Sequence, residues 1–252
     1  MRKRGFVTVL IVLCCLVFAA AIFAPRTASA VVSTDVVFVV DESGSMAGEH
    51  AWLGTMIGSL DTAFSAVPAP DGPVDAQYGL TGYGDSTTAG HSVAGHKHLV
   101  GGGDFGTAAQ FQTATGGLIT NGGFEDGYEA IDFALNNYAF RGAPTIKSFV
   151  LVTDEDRDVF NAALTFASTE AALQGSLLNV VVNNSFFDAS GNQALGMDAA
   201  GNAYVADGSG GFIVSPGGIV GSGFGTTTAD YVNLAFNLGG AAWDLNQLRS
   251  GG

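Results

Sequence analysis

Three short runs of this chain are apolar without alternating: 35–40, 147–153 and 177–182. A strand with one wet face alternates with a period of two. A run that does not alternate suits a strand covered on both faces, as in a parallel sheet. Between these runs apolar residues recur every three or four positions. In 50–67 they are Leu53, Met56, Ile57, Leu60, Phe64 and Val67; in 126–138 they are Tyr128, Ile131, Leu135 and Tyr138. A weaker stripe, Val159, Ala163, Phe166 and Leu173, runs through 156–173. These spacings predict helices. Strand–helix alternation predicts crossover units, hence an α/β fold: a doubly wound, mostly parallel sheet with helices on both faces. A hairpin-like pair, 74–83 and 97–100, predicts one antiparallel edge strand.

Residues 183–226 break the pattern. They are polar and rich in glycine, with related turns at 188–192 and 198–202 and short apolar runs at 204–206 and 212–214. They predict a small β-hairpin insertion. Calcium at the two turns is conceivable, but Asp and Asn beside Gly are ordinary turn chemistry. A helix over 228–238 and a strand over 242–246 would close the sheet.

The first thirty residues stand apart. Arg2, Lys3 and Arg4 precede an almost wholly apolar stretch, and Ala28, Ser29 and Ala30 offer a small-residue cleavage site. This is the layout of a secretory signal peptide rather than a membrane anchor. Domain organisation is therefore expected to be 1–30 as signal peptide and 31–252 as one domain, secreted to the exterior, the cell surface or the periplasm. Both cysteines, Cys14 and Cys15, fall in the leader, so disulfides would not stabilise the mature domain. The whole chain carries 9 basic and 23 acidic residues. Without Arg2, Lys3, Arg4 and Arg26, five basic residues face those 23 acids, a formal charge of −18. Such a surface repels nucleic acid and anionic lipid and attracts divalent cations.

The acids concentrate where ligands are expected. In an open α/β sheet the binding crevice lies beyond the carboxyl ends of the strands. The first buried run ends in Asp41-Glu42-Ser43-Gly44-Ser45, the second in Thr153-Asp154-Glu155. A third segment, 121–127, brings Gly122, Gly123, Glu125 and Asp126 to the start of a helix. Asp41, Glu125 and Asp154 could converge, and converging carboxylates need either raised pKa values or a cation among them. Carboxylate and hydroxyl oxygens select a hard ion: Mg²⁺ before Ca²⁺ or Mn²⁺. Asp41 and Ser43 could instead merely cap the following helix, but a cap needs one oxygen and three are presented.

Asp41-Glu42-Ser43-Gly44-Ser45 after a buried strand resembles the D-x-S-x-S motif of von Willebrand factor type A domains, and the Gly122-Gly123 loop and Thr153-Asp154 follow in family order. The resemblance covers most of 34–182. It implies a metal-ion-dependent adhesion site in which Ser43 and Ser45 bind the ion directly and Asp41 and Asp154 bind it directly or through water. It also implies a vacant position for a carboxylate from a protein ligand. No threonine follows Gly123, and the segment 124–131 looks more like the integrin β version, which places Glu125 in the ligand set, with Thr120 as the fallback. The expected metal residues are thus Asp41, Ser43, Ser45, Glu125 and Asp154, and the expected function is cation-dependent adhesion without catalysis.

Other chemistry is weaker. A structural surface or matrix component with a fold-stabilising metal is the main alternative. Ser86 and His91 suggest a serine hydrolase, but no nucleophile elbow surrounds Ser86. His91, His96 and His98 could bind zinc with His50 or Asp85 as the fourth group; an exposed polar edge strand is the competing explanation and the one adopted. Trp52 and Trp243 are expected in the core or an interface.

Overall fold

The computed structural model describes residues 32–68 and 72–250. The expected signal peptide, with Cys14 and Cys15, lies outside the described residues.

Strand β1 (Val32–Asp41) lies in the interior of the parallel sheet. It pairs on one side with β2 (Val74–Tyr83) and on the other with β4 (Ile146–Thr153), both parallel. Outside β4 come β5 (Leu177–Val182) and then β12 (Ala241–Asp244), again parallel. Strand β3 (His96–His98) is antiparallel on β2, as its hairpin pattern predicts. The chain leaves β1 toward β2 and later returns to β4 on the opposite side. The crevice this reversal opens lies at the carboxyl ends of β1 and β4.

The lack of alternation in β1 has the expected cause. Val36, Phe38 and Val40 enter one core, and Val37 and Val39 enter the other. The first core is covered by α1 (Ala47–Ser65), through Leu53, Met56, Ile57, Leu60 and Phe64, with Phe111 from α2 (Ala108–Ala114). The second is covered by α3 (Gly127–Asn137), through Tyr128, Ala130, Ile131 and Ala134. Helices on both faces of a mostly parallel sheet are the doubly wound arrangement. Trp243 is fully buried, and Trp52 packs against the first core.

Three elements differ from the sequence-based expectation. The helix expected over 156–173 is confined to α4 (Phe166–Ala172). Its N-terminal half is drawn off by a buried acid: Asp126 takes the Arg157 guanidinium at 2.6 Å and the Phe160 and Asn161 amides at 2.9 and 3.3 Å. The 183–226 insertion is more than a hairpin. Of its strands, β8 (Gly196–Asp198), β9 (Asn202–Ala206) and β10 (Phe212–Pro216) extend the main sheet antiparallel beyond β12, giving nine strands. The strands β6 (Asn184–Phe187), β7 (Gln193–Ala194) and β11 (Ile219–Gly223) form a separate three-stranded sheet. The antiparallel strands are thus not limited to one edge. The closing 228–238 segment begins as a π-helical turn at Thr228–Val232 and becomes α5 (Asn233–Asn237); after β12 the chain turns into α6 (Leu245–Ser250).

The two Asp-Asn turns satisfy themselves. Asp188 accepts the Ser190 and Asn192 amides at 2.9 and 2.8 Å and the Asn192 side chain at 2.8 Å. Asp198 accepts from Asn202 and from the Tyr204 hydroxyl. Turn geometry accounts for these residues.

Candidate metal centre at the carboxyl edge of the sheet

The tip of β1 turns back on itself. The Ser43 amide donates to Asp41 Oδ1 at 2.7 Å, which folds the D-x-S-x-S segment so that its hydroxyls face the same way. Ser43 Oγ and Ser45 Oγ lie 3.1 Å apart, and Ser45 Oγ donates to Asp154 Oδ1 at 3.0 Å. On its other oxygen Asp41 accepts the Thr153 hydroxyl at 2.9 Å. Asp41, Ser43, Ser45 and Asp154 are thus linked in series across the β1–β4 crevice, by the Ser43 amide at the first step and by side-chain oxygens at the next two.

Glu125 joins from the loop before α3. Gly84, just past β2, separates it from Asp41: a Cβ on Gly84 would lie 3.5 Å from Asp41 Oδ1 and 3.8 Å from Glu125 Cγ. Gly84 has φ +95°, a conformation that favours glycine, so the backbone rather than lack of space sets the residue here. Glu125 is held by its backbone: the Asp158 amide donates to its carbonyl at 2.8 Å. The Asp126 side chain accepts the Tyr128 and Glu129 amides and so caps α3. Ser43 forms an isolated parallel bridge with Gly122, which ties the first and second loops together.

Electrostatics mark the cluster. Burial pushes the Asp41 carboxyl up to about 7; Asp154 adds to this, while the Ser43 amide and the Thr153 hydroxyl oppose it. Burial, then the charges of Asp41, Glu155 and Asp158, pushes Glu125 up to about 8. Arg249 Nη2 stands 3.8 Å from Asp154 Oδ2, at the rim. Buried carboxyls that hold protons near neutrality, joined by hydroxyl oxygens, form a donor set suited to a hard divalent ion, which would displace those protons.

The five residues named from the sequence thus gather at one sheet edge. Asp41, Ser43, Ser45 and Asp154 are linked by hydrogen bonds, and Glu125 is coupled to Asp41 through its charge. Thr153, named from sequence only as part of the Thr153-Asp154 pair and given no role, is the last residue of β4 and borders the same crevice. The hydrolase pair is not assembled: Ser86 is exposed, and His91 Nδ1 sits 3.0 Å from Glu42 Oε2. His50 and Asp85 are also committed elsewhere, His50 Nε2 at 2.8 Å from the Asp41 carbonyl and Asp85 on the Thr87 and Thr88 amides.

The von Willebrand factor type A domain profile matches residues 35–193, well over half of the chain. The chain belongs to this family. Type A domains mediate protein–protein interaction, typically in adhesion, and are generally non-catalytic. Among curated protein sequences none matches the chain. Solved structures with a related course include conserved hypothetical protein BatB from Bacteroides thetaiotaomicron, 15% identical, covering 82% of this chain and 87% of that one with a TM-score of 0.45. Proximal thread matrix protein 1 from the mussel byssus is 15% identical over 62% of this chain, with a TM-score of 0.43; a second structure of it has a zinc-occupied MIDAS motif. A von Willebrand factor type A protein from Catenulispora acidiphila is 17% identical over 60% of this chain, with a TM-score of 0.41. This type A domain spans 37% of the byssus chain and 33% of the Catenulispora chain. Among the described residues no helix is long and apolar enough to cross a membrane.

Proposed function

We propose that this type A domain is a secreted adhesion module that grips a protein ligand through a divalent cation, Mg²⁺ before Ca²⁺ or Mn²⁺, held by Asp41, Ser43, Ser45, Glu125 and Asp154. The observation that carries the reading is the series of hydrogen bonds joining Asp41, Ser43, Ser45 and Asp154, through the Ser43 amide and then through side-chain oxygens, at the reversal point of a doubly wound sheet. The ion would supply an electrophilic contact for a carboxylate of the partner. The acids would hold it, and the serine hydroxyls would add neutral oxygens that leave it charge to share. The acidic surface favours cation uptake, and the N-terminal layout of residues 1–30 supports export.

The rim supports a protein partner. Phe124 and Phe160 are about half exposed, with ring centroids 6.1 Å apart, and Val159 beside them is 56% exposed. Phe124 directly precedes Glu125, so an apolar patch borders the candidate cation site. Exposed aromatic pairs next to a polar anchor are typical of binding surfaces.

The test is a thermal melt of wild type and Ser43→Ala/Ser45→Ala, each with Mg²⁺ and with chelator. Wild type is expected to gain several degrees with Mg²⁺, and the double variant to melt like chelated wild type in both buffers. A wild type indifferent to Mg²⁺, Ca²⁺ and Mn²⁺ overturns the reading. Metal-dependent capture of a carboxylate-bearing protein ligand, lost in the double variant, separates adhesion from a purely structural ion.

A further inference from the structure

Glu42, the variable position of the D-x-S-x-S segment, points away from the adhesion residues into a group of histidines. Its carboxylate is fully buried. His91 Nδ1 lies 3.0 Å from Oε2, His96 Nε2 3.1 Å from Oε2, and His98 Nε2 3.1 Å from Oε1. The three imidazole side chains are only 10–13% exposed. They come from the 84–95 loop and from β3, and alternation along β3 puts His96 and His98 on the same face.

We infer that Glu42, His91, His96 and His98 form a second metal site, distinct from the adhesion site and selective for a late first-row divalent ion such as Zn²⁺. Imidazole nitrogens with one carboxylate suit Zn²⁺, whereas Mg²⁺ prefers oxygen alone. The spacing fits. One ligand atom from each residue lies within 4.8 Å of the others. A tetrahedron with metal–ligand bonds of about 2.0–2.1 Å has edges of about 3.3 Å, so the widest pair must close by about 1.5 Å. His96 Nε2 and His98 Nε2 are already 3.1 Å apart. If both carried protons toward the carboxylate, two N–H groups would crowd each other; a single cation accepts a lone pair from each instead.

The surroundings are shaped to the cluster. A Cβ on Gly82 would lie 2.6 Å from Glu42 Cδ and 2.7 Å from His98 Nε2, so only glycine leaves room there. The Ile119 amide donates to Glu42 Oε1 at 3.0 Å and orients the carboxylate from behind. The Ser92 amide lies 3.3 Å from His96 Nδ1 and must turn away when the ion binds, because a ring ligated through Nε2 keeps its proton on Nδ1. With four protein ligands the site is closed and structural in kind. It would fasten the tip of β1 to β3 and to the 84–95 loop. The Glu42 carbonyl also accepts the Asn121 and Gly122 amides at 3.0 and 2.9 Å, so the ion would steady the second adhesion loop as well.

The experiment is calorimetric titration of untagged protein with Zn²⁺ in buffer containing excess Mg²⁺, on wild type, Ser43→Ala/Ser45→Ala and His96→Ala/His98→Ala. The expected result is one tight Zn²⁺ per chain in wild type and in the serine variant, and affinity reduced at least 100-fold in the histidine variant. Zinc binding that disappears with the serines and survives loss of the histidines overturns the inference, as does a wild type without stoichiometric zinc. If the histidine variant does not fold, Glu42→Gln replaces it, with an expected loss of at least tenfold. Co²⁺-loaded wild type supplies an independent readout: intense visible absorption of a four-coordinate ion is expected, and the weak spectrum of a six-coordinate oxygen site refutes the assignment.

Discussion

Thr153 donates its hydroxyl proton to Asp41 across 2.9 Å, from the last residue of β4 to the last residue of β1. Both side chains are fully buried. The bond favours the charged form of Asp41 and so opposes burial, which raises its pKa. Thr153→Val keeps the shape of the side chain and the strand but removes the donor. A net hydrogen bond is worth about 1 kcal/mol, more to a charged group, so Mg²⁺ affinity near neutral pH is expected to fall about 5–10-fold. The chelated protein should melt within a few degrees of wild type. Mg²⁺ titration followed by calorimetry checks this, and unaltered affinity removes Thr153 from the account.

The raised acids set a pH dependence. Asp41 at about 7 and Glu125 at about 8 keep their protons in the folded protein at pH values where the unfolded chain has lost them. The native state then binds more protons than the unfolded state, so stability without metal falls as pH rises from about 4 to about 8. A divalent ion must displace those protons and so binds better as pH rises. Melting temperatures in chelator should decline across this window, while the gain produced by Mg²⁺ should grow. A Mg²⁺ gain that is flat between pH 5 and pH 8 would contradict it.

The aromatic rim separates partner from ion. Phe160 is 55% exposed and meets Phe124 edge to face at 6.1 Å. Phe160→Ala should leave Mg²⁺ affinity and melting temperature nearly unchanged yet weaken capture of the protein ligand, by about 1–2 kcal/mol if the ring is an anchor. Equal capture by the variant and wild type would place the contact elsewhere.

At the opposite end of β1, Arg141 clamps two strands. Its Nε meets Asp35 Oδ1 at 2.6 Å and its Nη1 meets Asp75 Oδ2 at 2.7 Å, while Nη2 takes the Thr34 and Asp75 carbonyls. Asp35 is fully buried, and in Arg141→Ala its carboxylate loses the guanidinium and keeps the residue-141 amide, which donates to Oδ2 at 2.6 Å. The expected cost is about 3–5 kcal/mol in chemical denaturation. Arg141→Lys should recover only part of it, since one ammonium cannot serve as a planar fork. A loss below about 1 kcal/mol in Arg141→Ala would show that water replaces the guanidinium.

How much could be read in advance depended on whether a segment was governed by its own pattern or by a distant residue. The runs 35–40, 147–153 and 177–182 match β1, β4 and β5 closely because burial on both faces requires continuous apolar character. The segment 156–165 followed a helical stripe but answers to Asp126, about 30 residues away, and no local periodicity reports that. Helix α2 escaped notice because only Phe111 in it is buried; its Thr107–Gln110 capping box was the available signal. The D-x-S-x-S segment named the proposed metal residues Asp41, Ser43 and Ser45 directly, because their spacing is local. Glu42 was passed over between two of them, although strand alternation implies that it must face away from Asp41, toward the hairpin that carries the histidines.

The ten-residue parallel pairing of β1 with β2, from Val32 opposite Val74 to Asp41 opposite Tyr83, therefore does more than hold the sheet together. A single residue inserted into or deleted from β1 would turn Asp41 and Glu42 to opposite faces from those they occupy, disturbing both proposed ion sites at once. Point substitution can change either proposed site separately; any change in the length of this strand must change both.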